Sequence, residues 1–232
     1  MAIISSDPRV LILAFLGGIL PSLFWLWFWL KEDEENPEPT ILLTVVFVMG
    51  MLAVLIVLPI QKFIQTHIGS HNIELILWAS AEEIMKYLAV LIILYKTNYA
   101  NKPIDWPIYL ITCALGFAAL ENTLFLIKPI SLADGATVAL LTGHLRFLGS
   151  TLLHTIASGV IGITIGMSLF MGRFVKKFFL IIGFLVATSL HTAFNFFIIK
   201  NDGNDFLKVF AFLWVVTIVI MLLFEKVRRM SI

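Results

Sequence analysis

Charged residues and cysteine are scarce in this sequence. Of its 232 residues, 16 are Lys or Arg and 15 are Asp or Glu, a charged fraction of 13%. Soluble domains carry roughly 25%. The single cysteine, Cys113, excludes an internal disulfide and a cysteine-rich metal site. A formal net charge of only +1 gives no reason to expect the basic face that neutralises phosphates, so nucleic acid is not an expected partner.

Hydrophobic residues take the place of the missing charges. They make up 60% of the chain, compared with ~45–50% in a soluble domain. A water-soluble globule of this size cannot hide that much apolar surface, so we expect the chain to be a membrane protein surrounded by lipid. About seven apolar runs are long enough, at roughly 20 residues, to cross a bilayer. They are residues 10–30, 41–61, 73–95, 107–127, 147–171, 178–199 and 206–224.

These runs predict an all-α fold, a polytopic membrane helix bundle. No internal repeat and no polar block of domain size interrupts residues 1–232, so we expect one integral-membrane domain. The stretch 128–146 contains Pro129, Asp134 and Gly135 and is either a loop or a short re-entrant piece. The number of crossings is therefore seven or eight.

The basic and aromatic residues predict how the bundle sits in the membrane. With seven crossings, six Lys or Arg residues outside the spans fall on the amino-terminal side and nine on the other. Because Lys and Arg are enriched on the cytoplasmic side, we expect the amino terminus outside and the carboxyl terminus in the cytoplasm. Tryptophans near span ends are expected to anchor at the headgroups. They are Trp25, Trp27, Trp29, Trp106 and Trp214.

Four charged residues lie inside the spans: Glu82, Glu83 and Lys86 in the third, and Glu121 in the fourth. Each charge near mid-bilayer costs on the order of 2.5–3.5 kcal/mol, so their presence needs an explanation. On a helix, Lys86 can reach either Glu82, four residues earlier, or Glu83, three residues earlier. A structural salt bridge and a functional site both explain the trio.

Two histidines join these charges. His154 lies in the fifth span, and His191 lies in the sixth with Asn195 one turn further on the same face. At 1.5 Å per residue, Glu83, Glu121 and both histidines fall about 10–15 Å below the same membrane surface. Polar residues from four helices at one depth predict a buried reaction centre.

Such a centre can activate water. A carboxylate takes a proton from water, a metal or a histidine polarises the attacked carbonyl, and Asn195 donates to the developing oxyanion. Zn²⁺ fits Glu121, His154 and His191 with one water, assembled from several helices because no His-Glu-x-x-His motif is present. A proton-coupled transporter or channel is the alternative, although the paired broken helices of transporters are not found. A catalytically silent membrane scaffold is a third.

Four sequence blocks resemble, in order, the motifs of the PrsW-type intramembrane proteases, which look like relatives of the type II CAAX prenyl proteases and abortive-infection membrane proteases. The early segment from Gly18 to Trp25, with Asp33 and Gly50, is also similar, so the likeness covers nearly the whole chain. The blocks are Ala81-Glu-Glu-Ile-Met-Lys86, Gly116-Phe-Ala-Ala-Leu-Glu-Asn122, His154 with Ser158-Gly159, and His191-Thr-Ala-Phe-Asn195.

This resemblance implies an endopeptidase of the prokaryotic cell membrane. Its substrate would be a membrane-associated protein or peptide, such as a membrane-spanning anti-sigma factor. The family is usually described as metalloproteases, while the CAAX group has also been described as metal-free glutamate proteases. The resemblance makes Glu82 the general base, with Glu83 and Lys86 as its pair or as organisers. The remaining polar centre is Glu121, His154, His191 and Asn195.

Overall fold

The structure is a computed structural model and describes residues 7–31, 37–95, 97–131, 149–200 and 206–231. This part of the chain is built of helices, which confirms the predicted all-α class. The predicted loop or re-entrant piece lies outside the described residues from position 132 onward. The helices are α1 (Pro8–Lys31), α2 (Thr40–His67), α3 (His71–Leu94), α4 (Asp105–Ser131), α5 (Ser150–Ser168), α6 (Arg173–Lys200) and α7 (Phe206–Arg229).

Four helices do not end where the apolar runs predict: α2, α4, α5 and α7. Helix α2 continues through Pro59 to His67, although proline removes one backbone hydrogen bond in a helix interior. Helix α5 ends at Ser168 instead of continuing to residue 171, because its last carbonyls accept hydrogen bonds of a tighter turn, such as Leu169 N to Gly166 O at 3.1 Å.

Six of the described helices are long and apolar enough to cross a membrane: α1, α2, α4, α5, α6 and α7. Helix α3 differs from them because its centre carries Glu82, Glu83 and Lys86, all three buried. Helices α4 and α5 form the middle of the bundle, with 72% and 78% of their apolar stretches buried, compared with 17% for α6. Helix α3 packs on α2 and α6 and also touches α4 and α5. Its buried face is therefore surrounded by four other helices.

Helices α2 and α4 approach each other closely at a pair of glycines. A Cβ atom at Gly116 would run into the carbonyl oxygen of Phe47, and one at Gly50 would run into the carbonyl oxygen of Cys113. Small residues at helix contacts in membranes allow such backbone approach. The glycine of the Gly116–Asn122 block therefore has a packing role.

The expectation that the tryptophans anchor at the headgroups is wrong for Trp25 and Trp29. Trp29 is 1% exposed and Trp25 is 7% exposed. Trp29 packs on Phe224 with ring centroids 5.1 Å apart, and Trp25 packs on Trp214 at 6.4 Å. Both rings lie against α7 inside the bundle, and this burial keeps them out of the headgroup layer.

Candidate active site

Glu83 lies at the centre of the buried polar cluster. Its Oε1 accepts hydrogen bonds from Lys86 Nζ at 2.7 Å and from His191 Nδ1 at 2.9 Å. Its Oε2 accepts one from Ser158 Oγ at 2.7 Å. The spacing allowed Lys86 to pair with either glutamate, and the hydrogen-bonded pair is with Glu83. This one carboxylate thus ties α3 to α5 and α6.

Glu82 has a different environment on the neighbouring face of α3. Its Oε1 accepts a hydrogen bond of 2.8 Å from Gln61 Nε2 on α2. Its Oε2 is buried and has no hydrogen-bond partner among the described residues. That atom lies 3.5 Å from His191 Nε2 and 3.9 Å from His154 Nδ1. Glu82 therefore presents one unoccupied oxygen to two imidazole rings.

A carboxylate orients each of these rings from the opposite side. Because His191 Nδ1 faces Glu83, its Nε2 faces Glu82. His154 Nε2 lies 2.9 Å from Glu121 Oε2, and His154 Nδ1 lies 2.9 Å from Lys86 Nζ. An ammonium group can only donate, so His154 Nδ1 accepts and its Nε2–H donates to Glu121. The inner nitrogens of both rings thus lie close to Glu82 Oε2, although that of His154 is engaged by Lys86.

The residues present fit a metal ion. Glu82, His154 and His191 each offer one ligand atom, and these atoms all lie within 4.8 Å of one another. Zn²⁺ bonds of ~2.0–2.2 Å in tetrahedral geometry place ligand atoms ~3.3 Å apart, and the 3.5 and 3.9 Å observed are longer, so binding would draw the ligand atoms together. Metal-binding histidines usually donate their other N–H to a carboxylate, as His191 can toward Glu83. A metal at His154 Nδ1 would replace its hydrogen bond to Lys86.

Glu121 and Asn195 lie outside the group of possible metal ligands formed by Glu82, His154 and His191. The Glu121 side chain is 31% exposed and contacts the outer nitrogen of His154, whereas the sequence suggested it as a metal ligand. Asn195 lies one turn beyond His191 on α6 and is partly buried. It makes no hydrogen bond to the cluster within the part of the chain that the structure describes.

Two contact residues were missed by sequence reasoning. Gln61 stands at the end of the predicted second span, so it received no role, yet α2 continues beyond it. Ser158 was noted in a motif without a function. Its spacing of four residues from His154 was the available signal, because such a pair shares one helix face.

Comparison with known proteins gives one consistent result. The profile of a family described as PrsW family intramembrane metalloprotease matches residues 38–224. Protease PrsW of Geobacillus kaustophilus (strain HTA426) is 27% identical over 189 residues, covering 80% of this chain and 80% of that protein. Protease PrsW of Clostridioides difficile (strain 630) is 28% identical over 190 residues, covering 78% of this chain and 77% of that protein. Protease PrsW of Bacillus subtilis (strain 168) is 24% identical over 203 residues, covering 85% of this chain and 89% of that protein. No solved structure matches the chain.

Proposed function

The chain belongs to the PrsW family of intramembrane metalloproteases, and from this membership we propose that Glu82 activates the water that attacks a substrate peptide bond. The protein is an intramembrane protease, and the transporter alternative has no support among its relatives. One observation carries the assignment. Glu82 Oε2 is a buried carboxylate oxygen with no hydrogen-bond partner among the described residues, and it faces two oriented histidines.

In the proposed reaction, Glu82 Oε2 accepts one proton of the water as the water oxygen bonds to the carbonyl carbon. His191 Nε2 accepts a hydrogen bond from the other hydrogen and so orients the same water. When the C–N bond breaks, Glu82 returns its proton to the leaving nitrogen. A positioned general base of this kind is worth roughly 10²–10⁴ in rate.

The other cluster residues position and stabilise. Glu83, paired with Lys86, holds the His191 ring, and Glu121 holds the His154 ring. We assign Asn195 as the donor to the oxyanion, supported by its place one turn beyond His191 on the same helix face.

We propose that Glu82, His154 and His191 hold Zn²⁺ when it is present, with Glu121 outside the ligand set. Glu82 Oε2 and His191 Nε2 would then be ligand atoms, so their roles as base and acceptor for the water apply to the protein without the ion. The ion would supply a Lewis acid that polarises the carbonyl and acidifies water. A metal-free glutamate mechanism, which the likeness to the type II CAAX prenyl proteases suggests, is the alternative for the same residues. The donor set of one carboxylate and two imidazoles supports zinc.

Six apolar helices and bacterial relatives indicate a multi-pass membrane protein of bacteria. We propose that α3 is a seventh crossing and that the amino terminus lies outside. Support for the crossing comes from the buried contacts of the α3 charges, since Glu83 and Lys86 pair with each other and Glu82 with Gln61. The distribution of Lys and Arg supports the orientation.

We propose a membrane-spanning segment as the substrate, docked along α3 and α6. A cavity of about 920 Å³ between these helices is lined by mostly apolar side chains from residue 72 to residue 88 of α3. At 1.5 Å per residue this stretch is about 24 Å long, which suits a transmembrane segment. Ile84 and Thr192 line the groove and directly follow Glu83 and His191 in the chain. The groove thus runs along the helix pair that carries the site.

Reconstitution with a single-span substrate tests the assignment of Glu82. We expect Glu82→Gln to lower cleavage by about 100-fold or more, since it loses the base, while its melting temperature stays near that of the wild type. Glu74→Gln is the matched control, because Glu74 lies on the same helix and pairs with His71 outside the cluster. Undiminished cleavage by Glu82→Gln would overturn the proposed mechanism.

A further inference from the structure

Gln61 is held by helix α3 through both its side chain and its backbone. The side-chain amide donates to Glu82 Oε1 at 2.8 Å. The Gln61 carbonyl oxygen accepts a hydrogen bond of 3.1 Å from Trp78 Nε1. Trp78 and Glu82 are four residues apart and therefore lie on the same face of α3. Two adjacent turns of α3 thus fix the position of one residue of α2.

The hydrogen bond from the Gln61 side-chain amide determines which oxygen of Glu82 is available. A carboxylate has two oxygens that are equivalent until one is engaged. With Oε1 bound to Gln61, the buried Oε2 faces His191 Nε2 and His154 Nδ1. A neutral amide achieves this without adding a charge, whereas Lys86 is paired with Glu83. In the neighbouring Glu83, both carboxylate oxygens already accept hydrogen bonds, from Lys86 and from Ser158.

We infer that Gln61 is a positioning residue for Glu82: its amide holds the carboxylate so that Oε2 is directed at the two histidines. This inference rests on the proposed role of Glu82. It predicts that Gln61 acts on the chemical step and not on substrate binding. Partners that orient a reacting carboxylate or metal ligand are typically worth about 10–100-fold in activity.

Gln61→Met tests the inference, since methionine has similar length but cannot donate. We expect kcat to fall about 10–100-fold with KM within about twofold of the wild type and an unchanged melting temperature. Gln65→Met is the control, because Gln65 lies one turn further on α2 and is exposed. Gln61→Asn keeps the amide but is one methylene shorter, so we expect a similar loss of kcat from a protein that retains polarity at this position.

A double variant separates positioning from other roles. In the Glu82→Gln background, Gln61→Met should cause no further loss, because residues that act through one another are not additive. Wild-type kcat in both Gln61→Met and Gln61→Asn, or a change confined to KM, would overturn the inference. If Glu82→Gln itself cleaves normally, the proposed function fails instead, so the two failures are distinguishable.

Discussion

Glu83 Oε1 and His191 Nδ1 are joined by a hydrogen bond of 2.9 Å across 108 residues of sequence. This bond settles which imidazole nitrogen faces Glu82, because the ring has only two. It also gives the two adjacent glutamates different roles. Glu83 is fully occupied with Lys86, His191 and Ser158, whereas Glu82 retains an open oxygen.

Removing the charge of Glu83 should destabilise the protein. In Glu83→Gln the buried Lys86 ammonium loses its anion, and breaking a buried ion pair costs about 3–5 kcal/mol. We expect a lower melting temperature in detergent, together with loss of cleavage. Lys86→Met on its own should destabilise as well, because it leaves the Glu83 carboxylate without its cation.

The double variant Glu83→Gln with Lys86→Met is the control for this effect. It removes both charges, so its loss of stability should be smaller than the sum of the two single losses. A Glu83→Gln protein with the same melting temperature as the wild type would contradict the buried ion pair.

Metal content should follow the three proposed ligands. We expect the purified protein to bind one Zn²⁺. His191→Ala removes a proposed ligand and should lower the zinc affinity by about 100-fold or more, whereas Glu121→Met removes only the acceptor that orients His154 and should cause a smaller loss, about 10–100-fold. Competition with a chromogenic chelator measures these affinities. His71→Ala is the control, since His71 is exposed and lies outside the cluster. Full cleavage by chelator-stripped protein would instead support the metal-free glutamate mechanism.

Gly116→Ala should disturb the contact between α2 and α4. The added methyl group would meet the Phe47 carbonyl oxygen, and because backbone cannot yield as a side chain can, we expect a loss of roughly 1–3 kcal/mol. Gly69→Ala adds the same methyl group in open space. Thermal unfolding of the two variants should therefore separate them, and equal melting temperatures would refute the close approach.

Photo-crosslinking can locate the bound substrate. A benzophenone amino acid at Ser189, which is exposed in the groove between α3 and α6, should crosslink to a single-span substrate in the Glu82→Gln background. The same amino acid at Val219, which is 49% exposed on α7, should crosslink to lipid only. Equal substrate crosslinking at both positions, or none at Ser189, would count against the proposed groove.

Much of the site is visible in the sequence because charge inside an apolar run is costly. Glu82, Glu83, Lys86 and Glu121 stand out for that reason, and the structure places them with His154. The sequence does not show that Lys86 pairs with Glu83 and not with Glu82, because both spacings suit an ion pair on a helix. The pairing depends on the side chains that the other helices place next to each glutamate.

The contributions of Gln61 and Trp29 could not be predicted for a different reason. A glutamine at the edge of an apolar run looks like the first residue of a loop, and only the continuation of α2 past Pro59 places it beside Glu82. A tryptophan near a span end looks like an interfacial anchor, and only the packing of other helices around it, including the contact with Phe224 on α7, shows that Trp29 is buried. Both depend on contacts between distant segments.

The ion pair between Glu83 and Lys86 also bears on how α3 can enter the membrane. It joins residues three apart on one helix, so it can form as soon as α3 is helical, before the rest of the chain is synthesised. Ser158 and His191 follow Glu83 by 75 and 108 residues and reach the membrane only later. On the proposed seven-crossing topology, α3 can therefore begin insertion with two of its three central charges already neutralised by each other, and Glu82 is the one charge that its own helix leaves unpaired.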